Sequence, residues 1–329
     1  MGMTVIDPGI LTTVQDAGRT GCMDSGFSPS GAVDGFSFRL ANILLSNPPG
    51  LAALEMTLSG ASFLFDEKAV AVLTGADMKP LLNGRPVAMN RAFCLEKGDI
   101  LHTGFALSGV RAYLAVAGGF ALKAVLGSCS TNLKARIGGF EGRALKSGDR
   151  IPFRPAPVCL QAAAKKNAEK RYPAEMSPFP IRAAYHPHDP LALHVVQGAQ
   201  ASYFSAEGIE TFYASVYSVT TDSDRMGVRL EGPQVASKNG TDIVSDGIAL
   251  GAIQVPGSGK PIVLLHDRQT TGGYAKIGVV ITGDVWKLAQ AAPGSAVRFV
   301  RISAGEAEKR YRETGRMLRL LEKKYGPKR

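Results

Sequence analysis

The sequence predicts a mainly β fold with two barrel domains, short helices and a helical C-terminal tail. Glycine is frequent, with 38 residues, and together with 19 prolines it implies many turns. Short runs rich in β-branched and aromatic residues alternate with these turns in both halves of the chain. The halves are also distantly alike, since 12–21 and 267–278 both place Gln, Asp, Arg and Thr beside glycines. This internal similarity favours two related barrels.

The N-terminal half, 1–154, is predicted to be the first barrel. Its clearest strand patterns lie at 61–65, 69–73 and 111–116. Asn83-Gly84 between apolar runs is a strong hairpin signal. One helix is predicted over 37–45, because apolar residues recur there on one helical face.

Residues 155–188 are predicted to be a linker, because prolines bracket an alanine- and lysine-rich stretch. The second barrel is predicted over 189–303, with strands at 191–196, 209–219, 248–255, 262–265, 277–281 and 296–302. The segment 304–329 is predicted to be a basic helical tail. Its apolar residues at helical spacing indicate docking on the body or on a partner: Tyr311, Leu318, Leu321 and Tyr325.

The net charge of +10 is concentrated in the linker and the tail. A solvated basic segment is therefore favoured over binding of nucleic acid or of a membrane surface. The longest apolar candidate, 112–122, is too short to span a membrane, and no secretory signal is visible. The four cysteines are scattered, which is typical of a reducing compartment. We expect a cytoplasmic protein.

Four polar clusters beside glycines are candidate sites: 15–19, 127–131, 222–229 and 266–278. Arg225 and Arg229 suit a small anionic substrate, because a guanidinium binds a carboxylate or phosphate through two parallel hydrogen bonds. Asp224 and Asp267 could orient these arginines, or act as acid or base groups if burial raises their pKa.

Three glutamines, Gln15, Gln254 and Gln269, could bind an amide or ureido group without a change of charge. For any one cluster a structural turn or salt bridge is the favoured alternative, but four clusters together favour a site. A metal site is not expected: His186, His188 and Asp189 lie among prolines. The segment 257–261 lacks the spacing of a phosphate-binding loop, and no biotin-accepting lysine motif is present.

Six motifs, in this order, resemble the biotin-dependent carboxyltransferase / allophanate hydrolase subunit 2 family: "GILTTVQDAGRTG", "SGAVD…AN", "GGF…VLGSCST", "SDRMGVRLEGP", "GAIQVP" and "DRQTTGGY". The resemblance runs from about residue 4 to 302. It implies a pair of cyclophilin-like β-barrels meeting at a cleft. The chain departs from the family pattern at Cys22 and Val228, where tyrosine is common, and at Ala275-Lys276, where proline usually follows the tyrosine.

Within this family, a stand-alone chain of this length is most similar to the C subunit of 5-oxoprolinase. The resemblance implies ATP-dependent opening of 5-oxoproline to L-glutamate with subunits A and B, with ATP shared with a partner and no covalent biotin on this chain. It implies catalytic roles for Asp224, Asp267 and Gln269. It implies substrate-binding roles for Gln15, Asp16, Arg19, Arg225, Arg229, Gln254, Thr270, Thr271 and Tyr274.

Two further functions stay open at this point. One is carboxyl transfer to urea or a related amide, with carboxybiotin supplied in trans. The other is a non-catalytic, KipA-like regulator that binds a kinase-inhibitor partner. Both the 5-oxoprolinase and the regulator would associate with a subunit-B-like chain, so complex formation alone cannot distinguish them.

Overall fold

The structure, a computed structural model, describes residues 2–155 and 190–325. Contacts between residues divide it into two units. Within the described residues, unit 1 comprises 2–20, 30–155 and 316–325, and unit 2 comprises 21–29 and 190–315. The predicted domain boundaries stay a prediction. The contacts add that the short segment 21–29 packs within unit 2 and that 316–325 packs within unit 1. Apart from Pro155, the predicted linker lies outside the described residues.

Unit 1 is built from eleven described strands and one helix: β1 (Gly2–Asp7), β2 (Leu11–Gln15), α1 (Gly35–Leu44), β3 (Ala53–Thr57), β4 (Ser62–Phe65), β5 (Ala69–Asp77), β6 (Leu81–Leu82), β7 (Arg85–Pro86), β8 (Phe93–Leu95), β9 (Ile100–His102), β10 (Ser108–Val116) and β11 (Arg150–Pro152). The strands form two antiparallel sheets, in the orders β11-β1-β4-β9-β6-β7 and β2-β3-β10-β5-β8. Both sheets contribute to one apolar core, which includes Phe63 from the first and Leu114 from the second.

The hairpin turn and the helix predicted in unit 1 are confirmed. Asn83 and Gly84 join β6 to β7 with φ angles of 50° and 77°, which is the two-residue turn that Asn-Gly favours. The predicted helix is α1, beginning two residues earlier than expected. Its start is fixed by Asp34, whose carboxylate accepts hydrogen bonds from the backbone N–H groups of Phe36 and Ser37.

A buried polar network connects α1 to the sheet beneath it. The Tyr113 hydroxyl donates to Glu55 Oε2 at 2.7 Å and accepts from the backbone N–H of Asp34 at 2.8 Å. Burial, with the nearby Glu55 carboxylate, raises the pKa of Tyr113 well above its usual value. The phenol therefore stays a neutral donor, and the network holds the beginning of α1 in place.

Unit 2 follows with β12 (Leu191–Gln197), a 3-10 helix (Ala199–Tyr203), α2 (Ala206–Ala214), β13 (Val216–Val219), β14 (Gly227–Glu231), β15 (Asp242–Gly247), β16 (Ala252–Gln254), β17 (Ile262–Leu264), β18 (Thr271–Tyr274), β19 (Lys276–Val280), α3 (Thr282–Ala289) and β20 (Ala296–Arg301). Seven of these strands close into a barrel in the order β12-β19-β16-β17-β14-β13-β20. The other two, β15 and β18, pair with each other as a separate two-stranded ribbon. The predicted mainly β fold class is confirmed.

Two strand predictions in unit 2 need correction. The predicted strand 209–219 is wrong over its first half, where α2 forms instead. Ser205 caps this helix by accepting from the N–H of Gly208 at 2.9 Å, and Phe212 stacks on Phe299 with ring centroids 4.4 Å apart. The N-terminal cap at Ser205 and the packing of Phe212 thus outweigh the strand preference of the aromatic and β-branched residues.

The predicted strand 248–255 is likewise shorter than expected, and only β16 forms there. The preceding residues turn at Gly251, whose φ angle of 81° is outside the extended range.

The predicted C-terminal helix is confirmed as α4 (Ala304–Tyr325). Its last turns pack within unit 1, where Leu318, Leu321 and Tyr325 are buried and the Tyr325 carbonyl accepts from Ser46 Oγ at 2.7 Å. Tyr311 is 62% exposed, so the predicted apolar face is covered only near the end of the helix. In the part of the chain that the structure describes, no helix is both long and apolar enough to cross a membrane.

Candidate functional site

The first polar cluster lies in unit 1, at the end of β2. The Asp16 carboxylate accepts hydrogen bonds from Ser128 Oγ at 2.6 Å, Ser130 Oγ at 2.5 Å and the backbone N–H of Cys129 at 2.5 Å. A fourth bond comes from the N–H of Gly18 at 2.8 Å. With its oxygens occupied in this way, Asp16 holds the loop that contains Ser128 and Ser130.

Gln15 and Arg19 contact the same loop. The Gln15 amide donates to the Thr131 carbonyl at 3.2 Å, and Arg19 donates to the carbonyls of Val125 and Ser130 at 3.1 and 3.0 Å. Both side chains are fully buried. Arg19 Nη1 has no hydrogen-bond partner among the described residues. The structure thus brings Gln15, Asp16 and Arg19 together, and each of them forms hydrogen bonds with the loop. Their substrate-binding roles stay a prediction.

Cys129, at the centre of this loop, is a poor candidate for a nucleophile. Burial, and then the nearby Asp16 carboxylate, raise the pKa of its thiol. A raised pKa lowers the thiolate fraction, and the thiolate is the reactive form.

In unit 2, Arg225 and Asp267 form an ion pair. Arg225 Nε and Nη2 donate to the two oxygens of Asp267 at 2.9 and 3.2 Å, and both side chains are nearly buried. The backbone N–H of Asp267 also donates to the Arg225 carbonyl at 2.9 Å. Asp267 therefore orients Arg225, which is one of the two roles that the sequence left open, and Arg225 already binds a carboxylate of its own chain.

Asp224 and Arg229 differ from this pair in that both are exposed. The exposed Asp224 carboxylate accepts from the backbone N–H groups of Met226 and Gly227, which is a turn contact. The Arg229 side chain is exposed on β14. The structure does not bring either residue into a polar cluster.

A second cluster in unit 2 centres on Gly272 of the ribbon. A Cβ atom built on Gly272 would lie 2.8 Å from Gln254 Nε2 and 3.3 Å from Gln269 Nε2, so both side-chain amides meet at this glycine. Gln254 is 2% exposed, yet its amide makes one long hydrogen bond, of 3.4 Å, to the Tyr274 carbonyl. We refer to Gln254, Gln269 and Gly272 as the carboxamide cluster.

The carboxamide cluster has unused hydrogen-bonding capacity. A glutamine amide offers two N–H donors and one carbonyl acceptor. Within residues 2–155 and 190–325, the Gln269 side chain has no hydrogen bond and Gln254 Oε1 accepts none. Gln254 is buried and Gln269 is partly buried, so this cluster is a candidate place in unit 2 for a polar ligand.

Lys276 and Asp246 flank the carboxamide cluster. Asp246 is the cross-strand partner of Gly272, and its carboxylate lies 3.1 Å from Lys276 Nζ. This contact with Lys276, followed by a bond from the backbone of Gly247, lowers the pKa of the Asp246 carboxyl. The sequence prediction did not include Lys276, Asp246 or Gly272 among the site residues.

The remaining predicted residues lie along the ribbon. Thr271 is exposed and pairs with Gly247, Tyr274 is 41% exposed opposite Asp242, and the Thr270 carbonyl accepts from the N–H of Ile248 at 3.0 Å. The ribbon thus places Thr271 and Tyr274 on either side of Gly272. Their substrate contacts stay a prediction.

Arg268, in the same stretch, is structural. Its guanidinium donates to the carbonyls of Ile248 and Leu265 at 3.0 and 3.1 Å, and burial lowers its pKa. Over the described ranges, no group of three His, Cys, Asp or Glu side chains is placed to hold a metal ion. His186, His188 and Asp189 lie outside these ranges.

The fold and the clusters define a mainly β protein of two units with a candidate site at the carboxamide cluster of unit 2. Comparison with known proteins gives the family: the carboxyltransferase domain, subdomains A and B, matches residues 25–301. The chain belongs to this carboxyltransferase family, as the sequence motifs predicted.

Its relatives include the 5-oxoprolinase C subunit of Escherichia coli (strain K12), which is 35% identical over 93% of this chain and 93% of that protein. The C subunit of the Haemophilus influenzae 5-oxoprolinase is also 35% identical, with the same coverage. The crystal structure of K. lactis urea amidolyase superimposes with a TM-score of 0.84 at 32% identity over 98% of this chain. The chain spans only 20% of that much larger structure.

Proposed function

We propose that this chain is the C subunit of an ATP-dependent 5-oxoprolinase. In this role it binds 5-oxoproline and contributes, with subunits A and B, to opening of the lactam to L-glutamate. The near full-length similarity to two such subunits supports the proposal. The observation that carries it is the carboxamide cluster, whose amides keep unused hydrogen-bonding groups that suit a neutral lactam.

The chemistry of the lactam matches the cluster. A lactam offers one N–H donor and one carbonyl acceptor on the same planar bond. Gln254, through Nε2, is suited to donate to the lactam oxygen. Gln269 now presents Nε2 to Gly272, and its Oε1 is suited to accept from the lactam N–H once the amide turns over. A buried donor at the carbonyl oxygen also stabilises the negative charge that develops there when a nucleophile attacks the carbonyl carbon.

We place most nucleotide contacts on a partner subunit, because the sequence has no phosphate-binding loop motif, and the stretch 257–261 lacks its spacing. ATP would supply the driving force for opening an otherwise unreactive amide. The partners are expected to be subunit-A-like and subunit-B-like chains, and the complex is expected to act in the cytoplasm.

A second candidate is carboxyl transfer to urea or a related amide. The urea amidolyase of Lachancea kluyveri is 33% identical over 91% of this chain, although the match covers 17% of that protein. The same two carboxamides could also bind urea, which has two NH2 donor groups and one carbonyl acceptor. This function requires carboxybiotin from another chain. The regulatory role stays a hypothesis without an observation in its favour.

Reconstitution separates the two enzymatic functions. The chain is mixed with subunit-A-like and subunit-B-like partners, and ADP and glutamate are measured with 5-oxoproline and with urea as alternative substrates. We expect ADP and glutamate in equal amounts with 5-oxoproline, and loss of both when this chain is omitted. Turnover of urea that depends on added carboxybiotin, with none of 5-oxoproline, would contradict the proposal in favour of the second candidate.

A further inference from the structure

A substrate such as 5-oxoproline carries a carboxylate, and the carboxamide cluster alone supplies no cation for it. The arginines in the polar clusters of unit 2 are either engaged with the protein or exposed. Arg225 binds Asp267 through two hydrogen bonds, and Arg229 is exposed on β14. Arg268 donates to two backbone carbonyls.

Lys276 lies directly beside the cluster because of a β-bulge. In the pairing of β16 with β19, Ile253 is opposite Gly278, but Gln254 is opposite Lys276 and not Ile277. The bulge therefore pairs the buried amide of Gln254 with a cation, whereas regular pairing would set it against a fully buried isoleucine. Directly opposed residues in antiparallel strands have neighbouring side chains on the same face.

The counter-ion of Lys276 is exchangeable. The Lys276 side chain is 12% exposed, whereas that of its partner Asp246 is 57% exposed. Asp246 also accepts from Gln200 Nε2 at 3.1 Å, so it keeps a hydrogen bond if Lys276 moves to another anion. Asp246 is exposed, so water can hydrate its carboxylate when the carboxylate of a ligand replaces it beside the buried Lys276 amine.

The positions of these groups fit one molecule. In 5-oxoproline the carboxylate is bonded to the ring carbon next to the lactam nitrogen, so the anion and the amide are adjacent. Asp246 is the cross-strand partner of Gly272, the glycine at which the two glutamine amides meet. The carboxylate now paired with Lys276 therefore belongs to the residue opposite the amide-binding position.

We propose that Lys276 binds the substrate carboxylate and that Asp246 takes its place when the site is empty. The site then selects an amide or lactam that carries an adjacent carboxylate over a neutral amide such as urea. This inference rests on the proposed function, because the carboxamide cluster has to bind the amide portion of the same molecule.

The test is titration of the full-length chain with 5-oxoproline and with 2-pyrrolidinone, the same lactam without the carboxylate, by ligand-detected NMR. Lys276→Gln is expected to weaken 5-oxoproline binding about tenfold or more and to leave 2-pyrrolidinone binding unchanged. Asp246→Asn is expected to strengthen 5-oxoproline binding, because it removes the competing carboxylate. Lys260→Gln is the matched control, since Lys260 forms an ion pair with Glu231 elsewhere in unit 2.

The two variants are expected to change the affinity for 5-oxoproline in opposite directions, which distinguishes ligand binding by Lys276 from a purely structural ion pair. If Lys276→Gln and Asp246→Asn weaken 5-oxoproline binding alike, the pair only holds the ribbon and the inference is overturned. It is also overturned if Lys276→Gln binds 5-oxoproline as tightly as the wild type does, although the proposed function then stands. If the wild type binds neither lactam, the proposed function itself is contradicted, and this inference with it.

Discussion

Replacement of Arg225 by alanine is expected to lower the free energy of unfolding by about 3–5 kcal/mol. The guanidinium is 5% exposed and neutralises the nearly buried carboxylate of Asp267, to which it donates two hydrogen bonds. Removal of one partner leaves an uncompensated charge, which costs far more than the intact pair contributes. Urea-induced unfolding, followed by circular dichroism, measures the change.

The matched control for this prediction is Arg229→Ala, four residues along the chain. Arg229 is exposed, so its removal is expected to change the free energy of unfolding by less than about 0.5 kcal/mol. An Arg225→Ala protein as stable as the wild type, but with weaker substrate binding, would contradict the structural role. That result would favour the sequence prediction that Arg225 binds the carboxylate of the substrate.

Replacement of Gly272 by valine is expected to abolish activity of the reconstituted complex, with a fall of about 100-fold or more in kcat/KM for 5-oxoproline. The added Cβ would meet Gln254 Nε2 at 2.8 Å and Ile248 Cδ1 at 2.7 Å, and these flexible side chains would be displaced from the cluster. Kinetics and an unfolding curve are measured on the same preparation.

The adjacent glycine provides the control. A Cβ on Gly273 would meet the Ile243 carbonyl at 3.3 Å and Ser245 Oγ at 3.8 Å, and neither belongs to the carboxamide cluster. We expect Gly273→Ala to keep kcat/KM within about threefold of the wild-type value. Equal losses at both glycines would indicate that the ribbon conformation matters and that the position of the amides does not.

Much of the fold was predictable because its signals are local. The turn at Asn83-Gly84 and the helix α1 are encoded in a few adjacent residues. The error at 209–219 has a different origin. Phe212 favours a strand by its intrinsic preference, but its stacking on Phe299 stabilises a helix. The two residues are far apart in the sequence, so the local sequence around Phe212 does not predict this contact.

The sequence predicted which residue types line the candidate site but not which side chains they contact. The sequence indicates Gln254 and Gln269 as amide-binding residues, and the structure brings both to Gly272. It does not indicate that Arg225 is paired with Asp267, or that a bulge sets Gln254 opposite Lys276. Both facts depend on strand register, and a shift of one residue changes every cross-strand pair.

The central claim is that the carboxamide cluster binds the lactam, and Gln254→Leu in the reconstituted complex tests it most directly. Leucine keeps the buried volume of Gln254 nearly unchanged but removes its donors and acceptor. Among the described residues the amide makes only one long bond, so the fold should persist. Gln234→Leu, an exposed glutamine of the same unit, is the control. We expect kcat/KM for 5-oxoproline to fall about 100-fold in Gln254→Leu and to stay at the wild-type value in Gln234→Leu. A Gln254→Leu complex with wild-type kcat/KM would contradict the account, because the lactam would then be bound elsewhere.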